Sequence, residues 1–180
     1  MKKIIGGVIA VAIGGTTFAI SQSNIVNKLS ENTGLTQQEA QQYVDSIPES
    51  NLQSFATIGQ DLVSDGKSIL NTVSSIDCVQ NTYQWETPSL DCADGKEQLQ
   101  NIGNDEIELG NCYQTLDTNL GDTVKSKISE CIKDIDRVDS DYALPITDVL
   151  DSETKSDYKN TNAYNKSVLQ TALESPLESP

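Results

Sequence analysis

Three stretches of this chain place apolar or small residues at alternating intervals of three and four, the period that a helix gathers onto one face. The first runs through Leu52, Phe55, Gly59, Leu62, Gly66, Ile69, Val73 and Ile76, and is widened by Ala56, Val63 and Leu70. The second runs through Leu99, Ile102, Glu106, Leu109, Tyr113, Leu116 and Leu120, and Glu106 alone breaks its apolar face. The third runs through Val124, Ile128, Cys131, Ile135, Val138 and Tyr142 and stops before Pro145. Hydrophobic residues make up 36% of the chain and aromatics only 5%, so the core must be built from aliphatic side chains, which suits helices. The fold class this implies is all-α: an antiparallel helical bundle of three long amphipathic helices with a shorter helix at each end.

Local signals place the ends of these helices. Thr36 and Glu39 form a T-x-x-E capping box for a short helix from Thr36 to Ile47, whose apolar side is Ala40, Tyr43, Val44 and Ile47. Ser50 with Gln53 is the corresponding signal for the first long helix, after a break at Pro48 and Glu49, and Asp94 with Glu97 for the second. Leu120-Gly121-Asp122 reads as a stop and restart between the second and third. Gly103 and Gly110 each cost about 1 kcal/mol relative to Ala inside the second helix. Because the stripe keeps phase through both, the helix is expected to be continuous. A last helix is expected after Asn160, carried by Tyr164, Val168, Leu169, Ala172 and Leu173, and a disordered tail over 174–180, which repeats Leu-Glu-Ser-Pro.

The N-terminus points to export. Lys2 and Lys3 precede an uncharged run from Ile4 to Ile20, followed by small and polar residues. Residues 1–21 are therefore expected to be a signal peptide cut after Ser21, or after Ala19 as the second choice, with the body over 22–173. The rival is an uncleaved membrane anchor over 4–20. As a helix this run would span about 25 Å against a hydrocarbon core of roughly 30 Å, and Gly6, Ala10 and Gly14 would form a small-residue packing stripe. Either way the two lysines stay on the cytoplasmic side and the body lies outside, in the periplasm or the extracellular space.

In an oxidising compartment four cysteines without a C-x-x-C pair read as two disulfides. With helices joined as hairpins, Cys112 and Cys131 lie nine residues either side of the turn at Gly121 and Asp122. Cys78 closes the first long helix while Cys92 opens the second. The expected bridges are Cys78–Cys92 and Cys112–Cys131, since Cys78–Cys112 would have to reach about 27 Å along a continuous helix.

Charge and composition exclude several functions. Twelve Lys plus Arg against 27 Asp plus Glu give a formal charge of −15, which repels nucleic acid and anionic lipid and favours a cationic partner. No His is present, so Ser-His and Cys-His nucleophiles and His metal ligands are absent. Ser64-Asp-Gly-Lys67 matches S-x-x-K, but no K-T-G follows and both residues fall on the polar side of a patterned helix. Asp134, Asp136, Asp139 and Asp141 make an acidic cluster whose carboxylates suit Ca²⁺, but their spacing is not that of an EF-hand, and a solvated face is the plainer reading. Asn165-Lys166-Ser167 is a glycosylation sequon. Tyr83 and Trp85, in the loop between Cys78 and Cys92, are candidates for a lid on the bundle end or for a partner surface.

The sequence contains no cofactor motif. It leads to an exported, non-enzymatic binding or structural protein of the cell envelope or extracellular space. A carrier of a small apolar ligand is the second reading, opposed by the core glycines, which let helices approach closely and leave no room. A carboxylate-based enzyme is the third.

Overall fold

The computed structural model describes residues 4–5, 8–13, 16–47, 54–79, 90–116, 122–149 and 152–175. The elements are β1 (Ile4–Ile5), β2 (Val8–Ile13), β3 (Thr16–Ser21), α1 (Gln22–Thr33), α2 (Gln37–Ser46), α3 (Phe55–Ser75), α4 (Cys92–Leu116), α5 (Asp122–Asp141), a 3-10 turn (Pro145–Val149) and α6 (Ser152–Glu174). The body is helical, as the periodicity predicts, and both cysteine pairs are joined: Cys78 to Cys92 and Cys112 to Cys131.

The α3–α4 contact sets the frame. The stripe of α3 buries Gly59, Gly66 and Val73, and that of α4 buries Gly95, Gly103 and Gly110 among larger residues. A β-carbon added at Gly66 would sit 2.5 Å from the Gly103 carbonyl oxygen, and one at Gly110 would sit 2.6 Å from the Gly59 carbonyl oxygen. Backbone therefore lies on backbone. Because Gly59 meets Gly110 while Gly66 meets Gly103, the two helices run in opposite directions. The same register brings Cys78 to Cys92, with Cα atoms 5.6 Å apart, and lets the Lys96 ammonium donate to the Ile76 carbonyl at the end of α3. At the other end the Phe55 ring meets Tyr113 edge-on at 5.0 Å.

α5 buries Val124, Ile128, Cys131, Ile135 and Val138, the stripe read from sequence, and packs on α4. α6 packs on α5 and α1, with Lys166 paired to Asp136 and Lys28 to Glu174. α6 begins at Ser152, earlier than expected, and matches the long helices in length. Its buried face is partly polar. Ser167 donates to the Ala163 carbonyl, Thr171 to that of Ser167, and Ser175 to that of Thr171, so each hydroxyl is satisfied four residues back.

Helix ends differ in detail from expectation. The Thr36–Glu39 box forms, with the Glu39 amide donating to the Thr36 hydroxyl and the Thr36 amide to the Glu39 carboxylate. The cap of α3 is Ser54, which accepts from the Thr57 amide, because the helix starts at Phe55; Ser50 and Gln53 lie outside the described residues. The cap of α4 is Asp91, which accepts from the Asp94 amide, so Asp94 is inside the helix. α4 continues through Gly103 and Gly110. The turn at Leu120, Gly121 and the tail beyond Ser175 also lie outside the described residues. α1 is a helix that the periodicity does not predict. It closes at Gly34, whose φ of 75° is left-handed and favours glycine there.

The N-terminal run is not helical where it is described. β1, β2 and β3 form an antiparallel meander in which Ile5 pairs with Val8 and Ile13 with Thr16. The run is rich in Ile, Val and Thr, which prefer strands, and its Gly-Gly pairs stand two residues wide between apolar segments, a hairpin pattern. Phe18 and Ile20, two apart on β3, are buried together with Ile13 in the core formed with α1 and α6. No helix among the described residues is long and apolar enough to cross a membrane.

The glycine contact predicts that Gly66→Ala loses about 2 kcal/mol of stability in urea unfolding, since a carbonyl of the facing helix must move and the gain in helix propensity does not offset it. Gln60→Ala, on the exposed side of α3, should stay within about 0.5 kcal/mol of the parent. Equal effects for the two would show that the helices do not touch at Gly66.

Candidate functional site

The polar groups with most chemistry gather where α4 faces α5. Position 106 lies on the buried stripe of α4, and Asp105 and Glu108 flank it; α5 presents Asp134, Arg137 and Asp141 from successive turns. Arg137 joins three carboxylates: Nε lies 3.2 Å from Asp105, and Nη2 2.6 Å from Glu108 and 2.7 Å from Asp134. Beneath this rim, Glu106 is only 5% exposed and Asp141 7%. Glu106 Oε2 and Asp141 Oδ2 are buried without a hydrogen-bond partner among the described residues.

Such burial favours the neutral acid. Burial first, and then the charges of Asp65 and Asp141, raise the Glu106 carboxyl to about 7. Burial raises Asp141 to about 6, reinforced by the carboxylate of Asp105, while Arg137 pulls the other way. Burial likewise raises the Tyr142 hydroxyl, helped by the Glu106 charge, and the Tyr142 ring stacks on Tyr158 at 4.8 Å. Tyr113 is fully buried and its hydroxyl raised by burial; the Asn165 side chain approaches it without completing a hydrogen bond.

The four aspartates singled out by sequence do not converge. Asp134 turns to Arg137, Asp136 to Lys166, Asp139 accepts from the Asn162 amide at 2.8 Å, and Asp141 is buried. Among the described residues, no group of three or more His, Cys, Asp or Glu is placed to hold a metal ion. Beside the Cys112–Cys131 bridge, an open groove of about 270 Å³ is lined by Glu108, Glu130, Asp134 and Lys127, among others.

Other sequence candidates fall elsewhere. Ser64 and Lys67 are exposed on α3. Asn165 is 6% exposed and Ser167 fully buried, so the sequon lies in the α6 core contact, where a glycan has no space. Tyr83 and Trp85 lie outside the described residues. Glu106 was visible in sequence as the one break in an apolar stripe. Its partner Asp141 stood there only as one of four aspartates.

No protein family, curated protein or solved structure matches this chain.

Arg137 is half-exposed, so its pairs are partly screened by water. Arg137→Ala should cost about 1 kcal/mol in urea unfolding at low salt, and less at about 1 M salt, where the Debye length is near 3 Å. A salt-independent loss would mean that the residue acts through packing alone.

Proposed function

We propose that this chain is exported and acts, without catalysis, as an acidic binding or structural protein of the cell envelope or extracellular space, engaging a cationic partner through its helical surface. The observation that carries this reading is an acidic excess that the chain's own cations do not cancel. Against 27 acidic residues stand 12 basic ones, and several of these are already engaged: Lys28 with Glu31 and Glu174, Lys127 with Glu130, Lys166 with Asp136, and Arg137 with three carboxylates. The groove beside Cys112 sets three carboxylates, Glu108, Glu130 and Asp134, against Lys127 and the shared Arg137, and so keeps a part of this excess on a concave surface. A basic partner would meet complementary potential there, and its association would be steered by charge and weakened by salt.

Two disulfides fit an oxidising compartment. We read α3, α4 and α5 as an antiparallel bundle stapled by them, a rigid support for such a surface. The four glycines that bring α3 onto α4 leave no room there for an apolar ligand, which weighs against a carrier. We assign residues 1–21 as the export signal. Its removal would take Ile13, Phe18 and Ile20 out of the core, so processing and packing make opposed demands on this segment.

N-terminal sequencing of the exported protein should begin at Gln22, or at Ile20 for the earlier cut. Retention of Met1 in folded, soluble material would instead show that the strands belong to the working fold. Native mass spectrometry of protein from its natural host should reveal a stable basic protein partner that dissociates as salt is raised. A retained small molecule would overturn this reading in favour of a carrier, and a bare monomer at low salt would remove its support.

A further inference from the structure

We infer that the buried carboxyl groups of Glu106 and Asp141 form a proton-held latch between α4 and α5, closed while they are protonated and loosened when both are charged. The geometry carries this. Two carboxyl groups more than nine-tenths buried, one on each helix, each have an oxygen without a hydrogen-bond partner among the described residues. A buried carboxyl group left without a partner is far less costly as the neutral acid than as the anion. Among the described residues no cation offsets Glu106 directly. The groups acting on it are Asp65 from α3 and Asp141 from α5, both acidic, and Tyr142 lies alongside, stacked on Tyr158 of α6. The groups acting on Asp141 are Asp105 and Glu106 of α4 and Arg137 of α5, and Arg137 is shared among Asp105, Glu108 and Asp134.

The latch sits at a junction. Just past Asp141 the chain enters the 3-10 turn, whose Ile146 amide donates to the Gln98 side chain of α4 at 3.1 Å. Charging Glu106 and Asp141 places like charges in a poorly solvated gap at the point where α5 hands over to α6, and the connection there is the part that gives way.

The direction with pH follows from linkage. Both carboxyl groups titrate higher in the folded chain, at about 7 and about 6, than in the unfolded one. The folded state therefore holds extra protons between about pH 4 and pH 7, and the stability this confers is present in full below that window and lost as pH rises through it.

In the intact, oxidised protein, the folding constant should fall on the order of a thousandfold between pH 4.5 and pH 8, seen as a melting temperature lower by roughly 8 to 16 °C. Glu106→Gln should remove most of this dependence and melt higher than the parent at pH 8. Should that variant fail to fold, Asp65→Asn provides the test, since Asp65 is exposed and acts on Glu106 only through its charge. It should lower the Glu106 midpoint, read from the carboxyl ¹³C shift, without disturbing the fold. Amide exchange over 141–147, corrected for its intrinsic pH dependence, should quicken from pH 5 to pH 8 in the parent alone. A Glu106 midpoint in the ordinary carboxyl range, or the same pH dependence in Glu106→Gln, would overturn the latch. So would stabilisation by millimolar Ca²⁺ at pH 8 that Glu106→Gln abolishes, which would make the cluster a cation site.

Discussion

Where α3 lies on α4, the two backbones are close enough that a carbonyl of one fills the space a β-carbon of the other would need. Side chains at an ordinary helix contact can slide over one another at small cost, but backbones in contact have few alternative registers. The heights of the other attachments follow from this one. Cys78 arrives beside Cys92 at one end and Phe55 beside Tyr113 at the other. α4, held in this way, offers α5 the face that carries Cys112, Asp105 and Glu106.

Two kinds of buried polarity share this core. The hydroxyls of α6 donate to carbonyls of their own helix, and Asn32 of α1 donates to Ser167 and Gln170, so that seam leaves little unsatisfied. The carboxyl groups between α4 and α5 are different: an oxygen of Glu106 and one of Asp141 have nothing to accept from. A satisfied seam rigidifies a helix pair and is indifferent to pH. An unsatisfied one destabilises the pair by an amount that depends on charge state. The ends of the molecule that meet these two seams therefore respond differently to their surroundings.

The legible parts of the fold were those encoded by a local period or a short motif. The α5 stripe, the Thr36–Glu39 box, continuity of α4 through its glycines and the pairing of neighbouring cysteines all belong here. α1 is not legible in the sequence because its buried residues, Ile25, Val26 and Leu29, fill barely one turn of pattern among polar neighbours. The start of α6 was hidden because a helix whose core face carries Asn162, Asn165, Ser167 and Thr171 does not look amphipathic. The length and hydrophobicity of the N-terminal run suit an export leader, while its two-residue Gly-Gly spacings signal hairpins. At the candidate site, Glu106 stood out as a charge on an apolar stripe. That Asp141 would be buried beside it depends on how α4 and α5 are rotated against each other, which no local pattern specifies.

The order of the cysteines along the chain has a kinetic consequence. First pairs with second and third with fourth, at separations of 14 and 19 residues. A chain that emerges N-terminus first presents Cys78 with its correct partner before the other two exist, and the second pair follows with the first already closed. Short loops also close fastest and at least entropic cost. Oxidation can thus proceed in step with emergence, hairpin by hairpin, and the native pairing is reached without breaking a wrong bond.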